Sequence, residues 1–162
     1  MSSESQHALD PHVVKVLDRD FPYVGKSPVV GHFNCVFDAY SNKRQLSLTA
    51  HPSRAVSKYQ IHELVMTDEP DAGMGKTVNR IAYLAFFEVD EGGVLLVGDK
   101  VEVDGKEIGT VAGFDLTHAD NHLNICIKVP EPARSGHEMG FKVGSRISVS
   151  FIGPDQAKMI AR

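Results

Sequence analysis

The chain has 162 residues, a length that fits one domain. Hydrophobic residues make up 42% and charged residues 23%, which provides enough apolar material for a buried core. Seventeen Lys and Arg stand against 21 Asp and Glu, and this acidic balance argues against a nucleic-acid binder and against a polybasic membrane surface. No apolar run approaches the roughly 20 residues that span a bilayer, and the first residues lack the pattern of a signal peptide. A cytoplasmic protein is therefore expected.

The two ends of the chain differ in composition from the rest. Residues 1–22 predict a short helical arm, because Asp10 suits the N-cap and Pro11 suits the first helical position before an apolar stripe. A frayed tail is the alternative for this arm. Residues 153–162 predict a C-terminal tail or a short terminal helix.

Residues 25–152 predict the main domain. Short runs rich in Val, Ile and Phe are separated by segments that carry Gly, Pro, Asp or Asn. The pair Asp104-Gly105 between two alternating arms specifies a tight hairpin. Residues 77–89 are apolar on both faces, and their β-branched and aromatic content favours a central strand over a helix. We expect eight or nine short strands in a mainly β, single-domain antiparallel β-barrel.

Side-chain alternation indicates a polar face on two of the predicted strands. His122 and Asn124 fall opposite the apolar residues of one strand, and His32 and Asn34 fall opposite Phe33 on another. These residues predict a polar-lined cavity on one face of the barrel. Simple exposure to water is the alternative.

The two cysteines also lie inside strand-like runs. We expect Cys35 and Cys126 to be buried free thiols, as is usual in a reducing compartment. A disulfide between them is the alternative.

The segment GFDLTHADNHLN, residues 113–124, concentrates ionisable side chains between two predicted strands. Asp115, His118, Asp120 and His122 fall close together there. A histidine beside a carboxylate suits proton transfer near neutral pH, because the carboxylate fixes the tautomer and supports the imidazolium. We assign His118 or His122 as the acid and Asp120 or Asp115 as the group that orients it. A polar turn without catalytic function is the alternative.

Metal binding is the competing use of these histidines. His118 and His122 are four residues apart, which is a zinc-site spacing on a helix, and His32, His51 or Asp120 would complete the ligand set. The segment is typical of a turn instead, and the sequence has neither an HExxH motif nor a cysteine cluster. We therefore predict no bound metal and no cofactor.

Further polar residues complete the predicted site. Arg80 lies in the most apolar stretch, where a charge requires a buried partner or a ligand. Its candidate partners are Asp115, Asp120 and Glu63. Arg80, Arg54 or Tyr83 would stabilise a developing oxyanion. The predicted substrate-binding residues are His32, Asn34, His51, Arg54, Tyr83 and Asn124.

Two enzyme motifs are incomplete. A triad of Ser53, His118 and Asp115 lacks the GxSxG elbow of hydrolases. The run DAGMGKT follows Pro70, which stands where a phosphate-binding loop requires glycine. We therefore expect neither a serine hydrolase nor a nucleotide site, and we interpret the glycine-rich run as a flexible loop over the barrel mouth.

The stretch GDKVEVDGKEIGTVAGFDLTHADNHLNICI resembles small β-rich bacterial proteins, through GFD, the His and Asn of HADNHLN and the preceding hairpin. The activity associated with proteins of this kind is the cofactor-free opening of a terpene epoxide, as in α-pinene oxide lyase. The resemblance implies an acid/base site in a compact barrel. No residue role is carried over from it.

The function hypothesis is a small cofactor-independent lyase or isomerase that uses acid/base catalysis in a barrel pocket. Its partner would be a small, largely apolar molecule such as an epoxide or a carbonyl compound, with no nucleic acid and no membrane. The alternative is a non-catalytic small-ligand or metal-binding barrel. A third hypothesis is an SH3-like or OB-like interaction module, against which the acidic balance weighs in the case of RNA. A homo-oligomer is compatible with the sequence.

Overall fold

The computed structural model describes residues 23–156 and residue 160. The predicted helix in residues 1–22 lies outside the described residues, as does part of the predicted C-terminal segment. Within the described part, the chain forms eleven strands and one short 3-10 turn, Pro154–Gln156. No helix in that part is long and apolar enough to cross a membrane.

Seven of the strands close into a barrel. They are β1 (Val29–Ser41), β4 (Ile61–Thr67), β6 (Ile81–Glu91), β8 (Lys100–Val103), β9 (Lys106–Asp115), β10 (Asn124–Lys128) and β11 (Arg146–Ser150). Their order around the barrel is β1-β11-β8-β9-β10-β4-β6. The pairs given by their registers are antiparallel except β10 with β4, which is parallel.

Four short strands pair outside the barrel. They form two small sheets: β2 (Leu46–Ser47) with β5 (Thr77–Val78), and β3 (Ser53–Val56) with β7 (Gly93–Leu96). The prediction of a mainly β barrel is confirmed, but the expected count of eight or nine strands is wrong. The reason is that alternation marks a strand without showing whether it joins the barrel or a separate ribbon.

The predicted hairpin is present between β8 and β9. Val103 pairs with Lys106, so that Asp104 and Gly105 form a two-residue turn with φ values of 51° and 80°. Positive φ at both positions is the geometry that matches the twist of the flanking strands. The carboxylate of Asp104 also accepts a hydrogen bond of 2.9 Å from the backbone of Arg146 on β11.

The interior of the barrel is a packed apolar core. Phe33, Phe87 and Phe114 are fully buried there. A second, smaller apolar cluster includes Leu46 and Cys126 and lies on the outside, where the β2–β5 ribbon covers the barrel wall. The polar pocket predicted for the barrel therefore does not lie in its interior, because apolar side chains fill that space.

A β-bulge in β1 changes the face that this strand presents to the core. Phe33 pairs with Phe87 and Cys35 pairs with Phe86, so Asn34 is the extra residue between them. One extra residue inverts the alternation that follows it. Cys35 is consequently exposed, and the expectation of a buried thiol there is wrong. Cys126 is buried, and both cysteines are free, as predicted.

One buried carboxylate connects the segments on either side of the barrel strands. Asp99 is fully buried. Its carboxylate accepts hydrogen bonds from Nζ of Lys26 at 2.8 Å, from Nε2 of Gln156 at 2.7 Å and from the backbone N–H of Leu96 at 2.9 Å. The segment before β1 and the segment after β11 thereby share one anchoring group.

Candidate functional site

One row of cross-strand partners runs over five strands on the outer face of the barrel. Cys35 on β1 pairs with Phe86 on β6, and Phe86 pairs with Glu63 on β4. Glu63 pairs with Asn124 on β10, and Asn124 pairs with Asp115 on β9. Core residues precede or follow them along these strands, so these side chains point outward.

The turn after β9 folds two histidines back over this row. The backbone N–H groups of Asn121 and His122 both donate to the carbonyl of His118, at 2.8 and 2.7 Å. This places the His118 and His122 rings in a stack, with 5.1 Å between centroids and 26° between planes. The ring of His122 also meets Phe86 edge to face, at 5.4 Å between centroids.

His122 faces a carboxyl group. Its Nε2 atom lies 3.7 Å from Oε2 of Glu63, and the two side chains are only 16% and 15% exposed. Its Nδ1 atom lies 3.0 Å from Oδ1 of Asn121. Because an amide oxygen only accepts, Nδ1 carries a proton and donates it to Asn121. The lone pair of a neutral His122 is therefore on Nε2, directed at Glu63.

The surroundings of Glu63 change the pKa of its carboxyl group. Burial raises the pKa of Glu63, and the charges of His122 and Arg44 oppose that rise. At 3.7 Å, Nε2 of His122 and Oε2 of Glu63 are too far apart for a direct hydrogen bond, so the imidazole and the carboxyl face each other across a short gap. A carboxyl whose pKa is raised by burial, beside an imidazole, is an arrangement that suits general acid/base catalysis.

Asp115 behaves differently from Glu63. Burial would raise the pKa of Asp115, but hydrogen bonds from Thr117, Asn124 and the backbone of Ser47 outweigh it and lower the pKa. Their lengths are 2.9 Å from Thr117, 3.3 Å from Asn124 and 3.2 Å from Ser47. Asp115 thus stays ionised and holds Asn124 and β2, not either histidine.

Asn124 has an unused acceptor next to this pair. Its amide nitrogen donates to Asp115, while its Oδ1 atom is buried and has no hydrogen-bond partner among the described residues. A protonated Glu63, its partner across β4 and β10, is a donor of the kind that this oxygen lacks.

Arg80 lies apart from the histidines. It is 53% exposed and pairs through Nε with Oδ1 of Asp68, at 2.5 Å. Arg80 stands just before β6, where the side chain reaches water instead of the apolar wall. Its partner is therefore none of the three carboxylates expected from the sequence.

The other predicted residues are also dispersed. Asp120 is exposed and lines, with His118, a surface hollow of about 350 Å³ beside the turn. His51 and Asn34 are exposed, and Arg54 lies on β3 with a buried Nε atom that has no partner in the described chain. Tyr83 packs against the outer apolar cluster.

A histidine that the sequence did not single out is buried at the start of β4. Nδ1 of His62 accepts the backbone N–H of Leu123 at 3.0 Å, so Nε2 carries the proton and donates to Gln60 Oε1, also at 3.0 Å. Burial, together with the charges of His122 and Arg54, lowers the pKa of His62 to about 4. His62 is therefore a neutral structural group.

His32 lies in the neighbouring row of the same outer face, opposite Glu88. Its Nδ1 atom is 2.9 Å from Oδ2 of Asp90, and its Nε2 atom is 4.0 Å from Oε2 of Glu88.

Sequence reasoning missed Glu88 and Asp90, and it did not pair Glu63 with a histidine. Alternation places such residues on the outer face, but no sequence pattern gives the register between distant strands.

Residues 23–150 match a protein family described as a family of unknown function, DUF6917. The matched segment contains all the barrel strands and both small sheets. No curated protein and no solved structure matches the chain.

Proposed function

We propose that this chain, which belongs to the DUF6917 family, is a small cofactor-independent lyase or isomerase that works by general acid/base catalysis. Its substrate is a small, largely apolar molecule with one reactive oxygen, such as an epoxide. The observation that carries this proposal is the facing pair of Glu63 and His122, with 3.7 Å between Oε2 and Nε2. Free thiols at both cysteines favour the reducing cytoplasm.

The pair supplies the one proton that an epoxide isomerisation adds to the oxygen and removes the one proton that leaves the neighbouring carbon. In its protonated form, which burial favours by raising its pKa, Glu63 donates its proton to the epoxide oxygen as the carbon–oxygen bond breaks. Nε2 of His122 removes a proton from the neighbouring carbon, and the carbon–hydrogen electrons form the new double bond. After the product leaves, the proton returns from His122 to Glu63, so no other reactant is consumed. Such a step contributes about 10²–10⁴ in rate.

Aromatic rings beside the pair support an apolar substrate. The Phe86 ring contacts His122, and Phe37 lies edge to face with Phe86 at 5.4 Å and with Tyr83 at 6.4 Å. These rings come from β1 and β6 and form an apolar strip next to the acid and base. His118 stacks on His122 and holds its ring in position.

The test is a turnover assay on a panel of terpene epoxides and enolisable ketones, with products followed by NMR. His122→Ala and Glu63→Gln should each lower kcat by about 10²-fold or more, and the double variant should lose little beyond either one. His118→Ala should cost less. The exposed His137 provides the control His137→Ala, which should retain full turnover, and a chelator should change nothing.

Two results would count against the proposal. Turnover that survives both Glu63→Gln and His122→Ala places the chemistry elsewhere. If saturation-transfer NMR shows that panel compounds bind but none is converted, the protein is a non-catalytic small-ligand binder and not an enzyme.

A further inference from the structure

Three side chains with metal-ligating atoms converge on the outer face of β1 and β6. They are His32 on β1, its cross-strand partner Glu88 and, two positions along the same face, Asp90. One ring nitrogen and one oxygen of each carboxylate all lie within 4.8 Å of one another. The three residues are separate from Glu63 and His122.

The backbone of the two strands produces this convergence. Val30 pairs with Glu91 while Gly31 pairs with Val89, so Asp90 is an extra residue in a bulge. Bulges re-aim side chains, and this one brings Asp90 beside the His32 ring. The strands are also very close here, because a Cβ atom at Gly31 would collide with the backbone oxygen of Glu88.

The charge balance of the cluster is unusual. Within the described part of the chain, neither Glu88 nor Asp90 forms an ion pair with a lysine or an arginine, and His32 is their one partner of basic character. Arg146 lies opposite His32 on β11, but it forms no ion pair with either carboxylate. The two carboxylates thus have a single imidazole as their neighbour of basic character. The three side chains are between 33% and 40% exposed.

We propose that His32, Glu88 and Asp90 bind a divalent transition-metal cation. One imidazole nitrogen and two carboxylate oxygens suit borderline cations such as Zn²⁺, Mn²⁺ or Co²⁺. The cation replaces the direct 2.9 Å contact between Nδ1 of His32 and Oδ2 of Asp90, and a histidine ligand binds a metal in its neutral form. Three protein ligands leave coordination positions for water or for an anionic group.

The proposal is tested on the full-length, metal-free protein by calorimetric titration with Zn²⁺ and with Mn²⁺, and by the visible absorption of bound Co²⁺. We expect one saturable site per chain. His32→Ala, Glu88→Gln and Asp90→Asn should each weaken Kd by about 10-fold or more, since even outer-shell changes at metal sites have effects of that size. The Co²⁺ spectrum should be lost in His32→Ala.

Matched controls separate this site from other binding. Glu91→Gln removes the next carboxylate on β6 and should leave Kd unchanged, as should Glu63→Gln and His122→Ala. The absence of saturable binding, or an equal loss in Glu91→Gln, overturns the proposal. Binding lost in His122→Ala but kept in His32→Ala would place the metal at the stacked histidines instead. If one ligand variant fails to fold, by circular dichroism, the other two still decide the matter.

Discussion

Oε2 of Glu63 lies 3.7 Å from Nε2 of His122, although Glu63 is the third residue of β4 and His122 follows the turn after β9. The parallel pairing of β10 with β4 produces this contact, because it sets Glu63 beside Asn124 at the point where the turn enters β10. The single parallel pair in the barrel thus builds the proposed acid/base site.

The effect of Glu63→Gln on stability, relative to the wild type, should be more favourable at neutral pH than at acid pH. A carboxyl whose folded pKa is raised contributes stability that is fully present below its ordinary pKa and is lost as pH rises through the folded pKa. Glutamine does not titrate, so Tm of the variant minus Tm of the wild type should increase from about pH 4 to about pH 8. Calorimetry checks this. The exposed Glu138→Gln should show no such trend, and a constant difference for Glu63→Gln would contradict the burial of its carboxyl.

His62 should make the free energy of unfolding fall with pH already below about 6.5, where carboxylates with ordinary pKa values do not yet take up protons. Its pKa falls from 6.5 to about 4 on folding, so its contribution to stability is present above 6.5 and is lost as pH falls toward about 4. The free energy of unfolding in urea should therefore drop between about pH 7 and about pH 5 in the wild type. His62→Gln should show a shallower drop. The exposed His137→Gln should match the wild type, and equal slopes in all three proteins would refute the assignment.

The two thiols should differ sharply in reactivity. Cys35 is exposed, whereas burial raises the pKa of Cys126 to about 12. A colorimetric thiol reagent should titrate one thiol per native chain quickly, and Cys35→Ser should abolish that phase. Cys126→Ser should leave it unchanged. Reducing agent should not alter Tm, since both thiols are free; two fast thiols in the native chain would contradict the burial of Cys126.

Gly136→Ala should destabilise the fold by about 1–3 kcal/mol, the usual cost of overpacking. A Cβ atom there would collide with the backbone oxygen of Leu84 on β6, which has no flexible end to move aside. Gly73→Ala is the matched control, because its nearest atom would be 3.9 Å away. It should change stability by less than about 0.5 kcal/mol. Urea denaturation compares the two, and equal effects would exclude the close approach at Gly136.

Local patterns in the sequence predicted much of the fold. Asp104-Gly105 specified its hairpin, because turn geometry depends on adjacent residues. The HADNH segment predicted an acid/base site; its two histidines stack on each other, and their catalytic role stays a prediction. What the sequence could not give is register over long separations: Glu63 was considered only as a partner for Arg80, which pairs with Asp68 instead.

Bulges were the second source of error. Strict alternation placed Cys35 beside Phe33 in the core, and the extra residue at Asn34 reversed it. A bulge is set by how two strands must curve to close the barrel, which depends on the whole wall. Alternation within one strand carries no information about that closure.

The carboxylate of Asp99 makes the flanking segments part of the cooperative folding unit. A fragment trimmed to the strand boundaries, residues 29–150, loses Lys26 and Gln156 together and retains only the Leu96 N–H as a partner for that charge. Breaking a buried ion pair costs about 3–5 kcal/mol, a large share of the roughly 5–15 kcal/mol that keeps a domain folded. A minimal expressible fragment of this barrel must therefore extend past the strands in both directions, and cleavage by a protease at either flank would weaken the attachment of the other.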